Sequence, residues 1–179
     1  MIKSNSRGPA PESITMRRST SGVLAVPALP TPLVLRHAQA EESSDLAALL
    51  GRAYPDEIWE PAETRQELFY DETVRAPLVV VVDGRLVATA SLQVPADDHK
   101  IGRLRWVATE LDRRREGIAQ ALVISVLNIA ADISCKEVHL KTTTDLLGAI
   151  ALYLKLGFEP LIEAEDERVV WDSVFKQLE

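Results

Sequence analysis

Arg113-Arg114-Arg115-Glu116-Gly117 interrupts two apolar stretches, and this junction constrains the fold more than any other part of the chain. Ile101 to Thr109, just before it, reads as an apolar strand. After it, Ile118, Leu122, Ile124, Val126, Leu127, Ile129 and Ala130 make a helix that is apolar over most of its circumference and must be largely buried. A helix start placed at Gly117 leaves the N–H groups of its first turn unpaired, beside three guanidinium groups. Those N–H groups and the helix dipole both favour negative charge, so the junction is predicted to hold a phosphate-bearing ligand.

The rest of the composition argues that this basic run is a local feature. Of 179 residues, 27 are acidic and 20 basic, and the net charge of −7 argues against nucleic-acid or anionic-membrane binding through bulk electrostatics. A single cysteine, Cys135, excludes an intramolecular disulfide and points to a reducing, cytoplasmic setting. His37, His99 and His139 are too scattered to read as a zinc set, so no metal is expected. No apolar stretch approaches the roughly 18 to 20 residues that a membrane-spanning helix needs.

Residues 1–32 are rich in Ser, Pro, Gly and Arg and read as a disordered N-terminal tail, with the folded domain at 33–179. Arg17 and Arg18 precede an apolar run, but Pro27 and Pro30 interrupt it, which disfavours a targeting signal. The domain opens with a short strand at 33–38 and a helix that starts near Glu41 to Asp45, with Leu46, Leu49, Leu50 and Ala53 at helical spacing. A second short helix is predicted from Pro61 to about Tyr70, then a hairpin of 78–82 and 86–94 around Asp83-Gly84-Arg85. Beyond the long helix come a strand at 138–141, a helix at 146–156 capped by Gly157, and a closing helix holding Trp171, Val174, Phe175 and Leu178, with Asp166 as its N-cap.

In this order of elements, Arg114, Gly117 and Ala119 fill the three places of an Arg/Gln-x-x-Gly-x-Gly/Ala turn. Some thirty residues on stands Ala149-Ile150-Ala151-Leu152-Tyr153-Leu154-Lys155-Leu156-Gly157-Phe158. Together these motifs make the chain resemble the GCN5-related N-acetyltransferases, over roughly residues 33 to 162. The resemblance implies an α/β fold with a mixed, mostly antiparallel central sheet flanked by helices, here with a C-terminal helix in place of curtailed final strands. It implies acetyl-CoA as co-substrate, held by the backbone of Val107, Ala108 and Thr109 along the pantetheine arm and by Arg114, Arg115, Glu116, Gly117, Ile118, Ala119 and Gln120 at the diphosphate. Glu116 is expected to point outward from that turn.

Acetyl transfer to an amine passes through a tetrahedral oxyanion, which an unpaired N–H near Val107 would stabilise if the strand splays open there. The leaving thiolate needs a proton, and Tyr153, the tyrosine to which the resemblance assigns the general acid, can supply it. Removal of a proton from the amine has no evident agent in the strands at 86–94 and 101–109. Glu57 and Glu60, in the loop between the first two helices, are candidates for a base or an ammonium anchor, with Trp59 and Tyr54 as an apolar wall or as packing beneath. The predicted activity is N-acetylation of a primary amine on a small molecule or peptide, in a protein that is a monomer or a homodimer. The alternative is a non-catalytic acetyl-CoA-binding sensor or interaction module.

Overall fold

A computed structural model describes residues 10–22 and 24–179. In chain order its strands and α-helices are β1 (Ser13–Ser19), β2 (Val34–His37), α1 (Ser43–Ala53), α2 (Pro61–Arg65), β3 (Val74–Val82), β4 (Arg85–Gln93), β5 (Ile101–Thr109), α3 (Ile118–Asp132), β6 (Glu137–Thr143), α4 (Leu147–Lys155), β7 (Glu159–Pro160) and α5 (Glu165–Leu178). The described residues fall into two compact units, residues 18–140 and residues 10–17 with 141–179.

The larger unit is a mixed sheet in the order β2-β3-β4-β5-β6, with β6 counted to Leu140. The first four strands run antiparallel, and β5 and β6 run parallel. The hairpin between β3 and β4 turns on Asp83 and Gly84, at φ 49° and 78°, the left-handed geometry that a two-residue turn needs to match strand twist. On one face, Leu46, Leu49 and Leu50 of α1 pack with Leu68, Val79, Leu86, Trp106 and Ala108. The long helix α3 packs on β3, β4 and β5 and buries Ile118, Ala121, Leu122, Val123, Ile124, Val126, Leu127 and Ala130, so it is covered over most of its circumference as its sequence predicts. Gly102 is where β5 squeezes between its neighbours: a Cβ there would lie 2.8 Å from Leu92 Cδ1 and 3.4 Å from Val138 Cγ2. The helix predicted from Pro61 to Tyr70 is present, but after Arg65 it widens into a π turn over Gln66–Tyr70.

The smaller unit pairs β1, up to Arg17, antiparallel with β7 through Met16↔Pro160 and Arg17↔Glu159. Helix α4 ends at Gly157, whose φ of 83° and N–H bond to the Leu154 carbonyl make it the expected cap. The closing helix exists, but Asp166 is not its N-cap: Ala164 holds that place, and the Glu167 carboxylate accepts the N–H groups of Glu163 at 2.6 Å and Ala164 at 3.3 Å. The longer glutamate reaches back over the first turn to the N–H groups that precede the helix. Trp171 and Val174 are buried while Phe175, 5.6 Å from the Trp171 ring centroid, is half exposed.

The reading of residues 1–32 as a mobile tail needs correction. Ser13–Ser19 form a strand in which Ile14 and Met16, two apart, are buried, and Thr20 and Leu24 are tied down as well. The Thr20 N–H bonds to the Lys136 carbonyl at 2.9 Å, and Asn128 makes two hydrogen bonds to the Leu24 backbone, at 3.1 and 2.8 Å. Composition counts apolar area but not ladder hydrogen bonds, and two inward side chains suffice for a strand whose backbone is paired. The part of that expectation covering residues 1–9 and Val23 lies outside the described residues.

Candidate functional site

The end of β5 departs from a regular ladder. Thr89 pairs with Ala108 and Ser91 with Arg105, so two steps on β4 face three on β5, and the extra residue makes a bulge at Trp106 and Val107. Trp106 sits there at φ 52°, a left-handed conformation uncommon for a bulky side chain, and is held in it by burial in the cluster around Leu46 and Leu50. On the opposite edge the register with β6 stops at Arg103↔His139. β5 is thus irregular at Trp106 and Val107, and the Val107 carbonyl is taken by the Tyr54 hydroxyl, which donates to it at 2.9 Å. Burial pushes the Tyr54 phenol up to about 12, so it stays protonated and acts as a donor. Tyr54→Phe leaves that carbonyl without its partner and is expected to cost about 1 kcal/mol of stability; an unchanged urea midpoint would show that water replaces the phenol without loss.

Glu110 joins β5 to the turn. Its N–H bonds to the Val87 carbonyl at 2.9 Å and its carbonyl accepts the Arg113 N–H at 3.0 Å. Its carboxylate, almost buried, binds Arg52 at the end of α1 at 2.5 and 3.4 Å and Arg85 at the start of β4 at 3.4 Å. The hydrogen bond from Arg52 holds this carboxyl below the ordinary glutamate range, against the opposing effect of burial, and Arg85 adds to the lowering. A depressed folded-state pKa contributes stability that is complete above the unfolded-state value of roughly 4.3 and is lost as pH falls through the folded one. The arginine side chains are 55% and 62% exposed, so solvent screens the clamp. Glu110→Gln is therefore expected to lower stability by only about 1 kcal/mol at neutral pH, a deficit that vanishes in acid. A deficit in urea midpoint that persists at about pH 3 would remove the charge from this account.

The turn that follows is built for close approach to a ligand. Arg115 and Gly117 have φ of 69° and 79°, and α3 begins at Ile118 with Gly117 as its N-cap. The N–H groups of Ile118, Ala119 and Gln120 have no carbonyl one turn earlier to bind, as at any helix start. A Cβ on Gly117 would meet nothing within 4 Å, so the space in front of this helix end is open. Glu116 lies 3.7 Å from Arg113 in an i,i+3 ion pair, which turns its charge back along the loop, while Arg114 and Arg115 are exposed. Positive φ angles, a free helix start and exposed guanidinium groups fit a diphosphate.

The α1–α2 side of the bulge carries the loop residues singled out from the sequence. Tyr54 and Trp59 lie with ring centroids 6.2 Å apart and pack against the core cluster, so they are a floor beneath the loop. Glu57 and Glu60 are exposed, as is Ile58 at 83%. The structure adds two residues that the sequence reading missed, Glu67 on the π turn and Arg105 on β5. Partial desolvation raises the Glu67 carboxyl above its usual range, with Arg105 opposing the shift. No local pattern announces either one: Glu67 is one acid among several on a short helix, and Arg105 is a polar position in a strand.

Tyr153 belongs to the smaller unit. It is buried on α4 at 6% exposure, edge-on to Phe158 with centroids 5.7 Å apart, and its carbonyl accepts the Phe158 N–H at 3.0 Å. The signature 149–158 is thus also a packing unit, a helix end, its glycine cap and the ring that closes over it. Leu146 is half exposed at the N-terminal end of α4. Cys135, a free thiol in the larger unit, is buried with its Sγ 3.6 Å from the His99 carbonyl, and burial raises its pKa, as suits an apolar filler. Among the described residues no group of three His, Cys, Asp or Glu side chains is placed to hold a metal, and no helix is long and apolar enough to cross a membrane.

The sequence profile described as "Acetyltransferase (GNAT) family" matches residues 43–158, from the start of α1 to the residue after the Gly157 cap. The chain belongs to this GNAT family. A curated relative, N-acetyltransferase 8B of Rattus norvegicus, is 37% identical over 73 residues, 41% of this chain and 33% of that protein. The chain thus spans about a third of the length of the curated relatives it matches. Among solved structures, a GCN5-related N-acetyltransferase from Sphaerobacter thermophilus superimposes with a TM-score of 0.71 at 20% identity, over 86% of this chain and 50% of that one. A structure described as a predicted acetyltransferase with acetyl-CoA, from Clostridium acetobutylicum, gives 0.61 at 19% identity over 74% of this chain and 93% of the other. At such identities the likeness is one of GNAT fold.

Proposed function

We propose that this chain is an acetyl-CoA-dependent N-acetyltransferase acting on a primary amine of a small molecule or peptide. The observation that supports it most is the pairing, within one unit, of a bulged strand end at Trp106–Val107 with an open, positively charged helix start at 114–120. In this reading the backbone of Val107, Ala108 and Thr109 aligns the pantetheine arm. Arg114, Arg115 and the N–H groups of Glu116 to Gln120 hold the diphosphate. Acetyl-CoA supplies an activated thioester. The neutral amine adds to the thioester carbonyl, forming the C–N bond and a tetrahedral oxyanion; the amine's proton leaves to a carboxylate or water, and the oxyanion collapses with loss of the C–S bond as Tyr153 gives a proton to the thiolate.

Glu57, Glu60 and Trp59 form the acceptor side in this reading, with Glu67, whose carboxyl partial desolvation raises above its usual range, added as a further candidate base. The test is calorimetry with acetyl-CoA, followed by thiol release across an amine panel. Heat of binding with amine-dependent thiol release is the expected result; heat without turnover on any amine would leave a cofactor-binding module, and no heat at all would overturn the reading.

A further inference from the structure

Arg105 is held by an unusual set of partners. One guanidinium nitrogen, Nη1, donates to Gln93 Oε1 at 3.2 Å, Gln93 Nε2 donates to Thr73 Oγ1 at 3.0 Å, and the Thr73 hydroxyl donates to Asp71 Oδ1 at 2.7 Å. The chain of donors has one direction. Asp71, as a carboxylate, accepts the Thr73 proton, so the Thr73 oxygen is left to accept from the Gln93 amide nitrogen, and the Gln93 oxygen must face Arg105. The Thr73 N–H also donates to Asp71 Oδ1, at 2.8 Å, which anchors the far end. The guanidinium lies over the Trp106 ring, 4.8 Å from its centroid, and Trp106 is itself fixed by the bulge.

The arginine is therefore positioned by a neutral amide and an aromatic face, and among the described residues no carboxylate lies within ion-pair distance of it. One planar fork of donors is left over on an exposed side chain two residues before Val107. The Arg105 and Glu57 charges are both felt by the Tyr54 phenol and the Glu67 carboxyl, and Trp59 lies beside Tyr54. Carboxylates and a guanidinium with open donors thus adjoin at the same strand end.

We infer that Arg105 binds a carboxylate of the acceptor, so that the preferred amine is an amino acid or a closely similar molecule carrying both groups. This rests on the proposed acetyl transfer and adds to it the class of acceptor. A guanidinium held in place loses little freedom when it forms paired N–H···O bonds, so recognition should appear in binding of the acceptor rather than in the chemical step.

The test uses matched acceptors that differ only at the carboxylate: phenylalanine, its amide and phenethylamine, and lysine with cadaverine. With saturating acetyl-CoA, the acid in each set is expected to show kcat/KM at least about tenfold above its neutral partner, mainly through KM. Arg105→Gln should bring the ratio near unity, Arg105→Lys should restore part of it, and acetyl-CoA affinity should be unchanged in both. Gln93→Leu, which removes the neutral link, should weaken the preference without abolishing it. Equal turnover of acids and amides, or a preference that survives Arg105→Gln, overturns the inference while leaving acetyl transfer intact. Calorimetry with N-acetylphenylalanine and its amide on the CoA-loaded protein separates the two readings: carboxylate preference without turnover keeps the Arg105 site and removes the transferase, and neither preference nor turnover removes both.

Discussion

Gly117→Asp should weaken coenzyme A binding by roughly 100-fold or more, about 2.7 kcal/mol. Two effects add. The backbone at Gly117 has φ of 79°, where any L side chain is strained by roughly 1–2 kcal/mol. The new carboxylate would also stand at the helix N-terminus where the diphosphate is proposed to lie, and two like charges about 4 Å apart repel by about 4 kcal/mol at an effective dielectric near 20. The side chain collides with nothing in the free protein, because a Cβ at Gly117 meets no protein atom within 4 Å. Gly117→Ala therefore separates the terms: it carries the strain without the charge, and should lose stability while keeping most of its affinity. Calorimetry on both variants is decisive, since an Asp variant that binds coenzyme A like the native protein would mean the phosphates lie elsewhere.

Tyr153→Phe should lower kcat by roughly 100-fold, the lower edge of what a positioned general acid contributes, with acetyl-CoA affinity retained. The substitution removes only the hydroxyl. The ring that meets Phe158 edge-on stays, as does the backbone carbonyl that closes the turn after α4, so the variant should still fold. A general acid also leaves a mark in the pH profile: the alkaline limb of kcat should flatten in the variant. Unchanged turnover would assign Tyr153 to packing alone, which its burial at 6% exposure would by itself explain.

Much of the fold was legible because the chain's periodicities are clean. The run from Gly117 to Ala130 is apolar on nearly every side, and α3 is buried nearly all round. Asp83-Gly84 demanded left-handed backbone and has it, and Gly157 ends α4 as a glycine after an apolar helix should. What misled was composition used in place of pattern. Residues 13–19 lie among prolines, serines and glycines, yet Ile14 and Met16 alternate with polar neighbours and enter a ladder. A strand of seven residues with two inward side chains gives a period-2 signal too short to stand out from its surroundings. Asp166 was preferred as a cap on residue type, but capping depends on which carboxylate can reach back, and Glu167 does.

The candidate site divides in the same way. Arg114, Gly117 and Ala119 could be read from the chain because a turn that exposes N–H groups to a ligand needs particular residues at consecutive positions. Nothing local marks Glu110 as the carboxylate that ties α1, β4 and β5 together, or Arg105 as a cation held by Asp71, Thr73 and Gln93, which lie up to 34 residues away from it (105 − 71). The sequence by itself determined the order of strands and helices, the buried helix and the turn before it, since each depends on backbone preferences and side-chain period over a few residues. Only the tertiary structure decided where β5 bulges, which charges are compensated and which guanidinium is left with open donors. Those properties depend on strand register and on partners distant in the chain, and no local period encodes them.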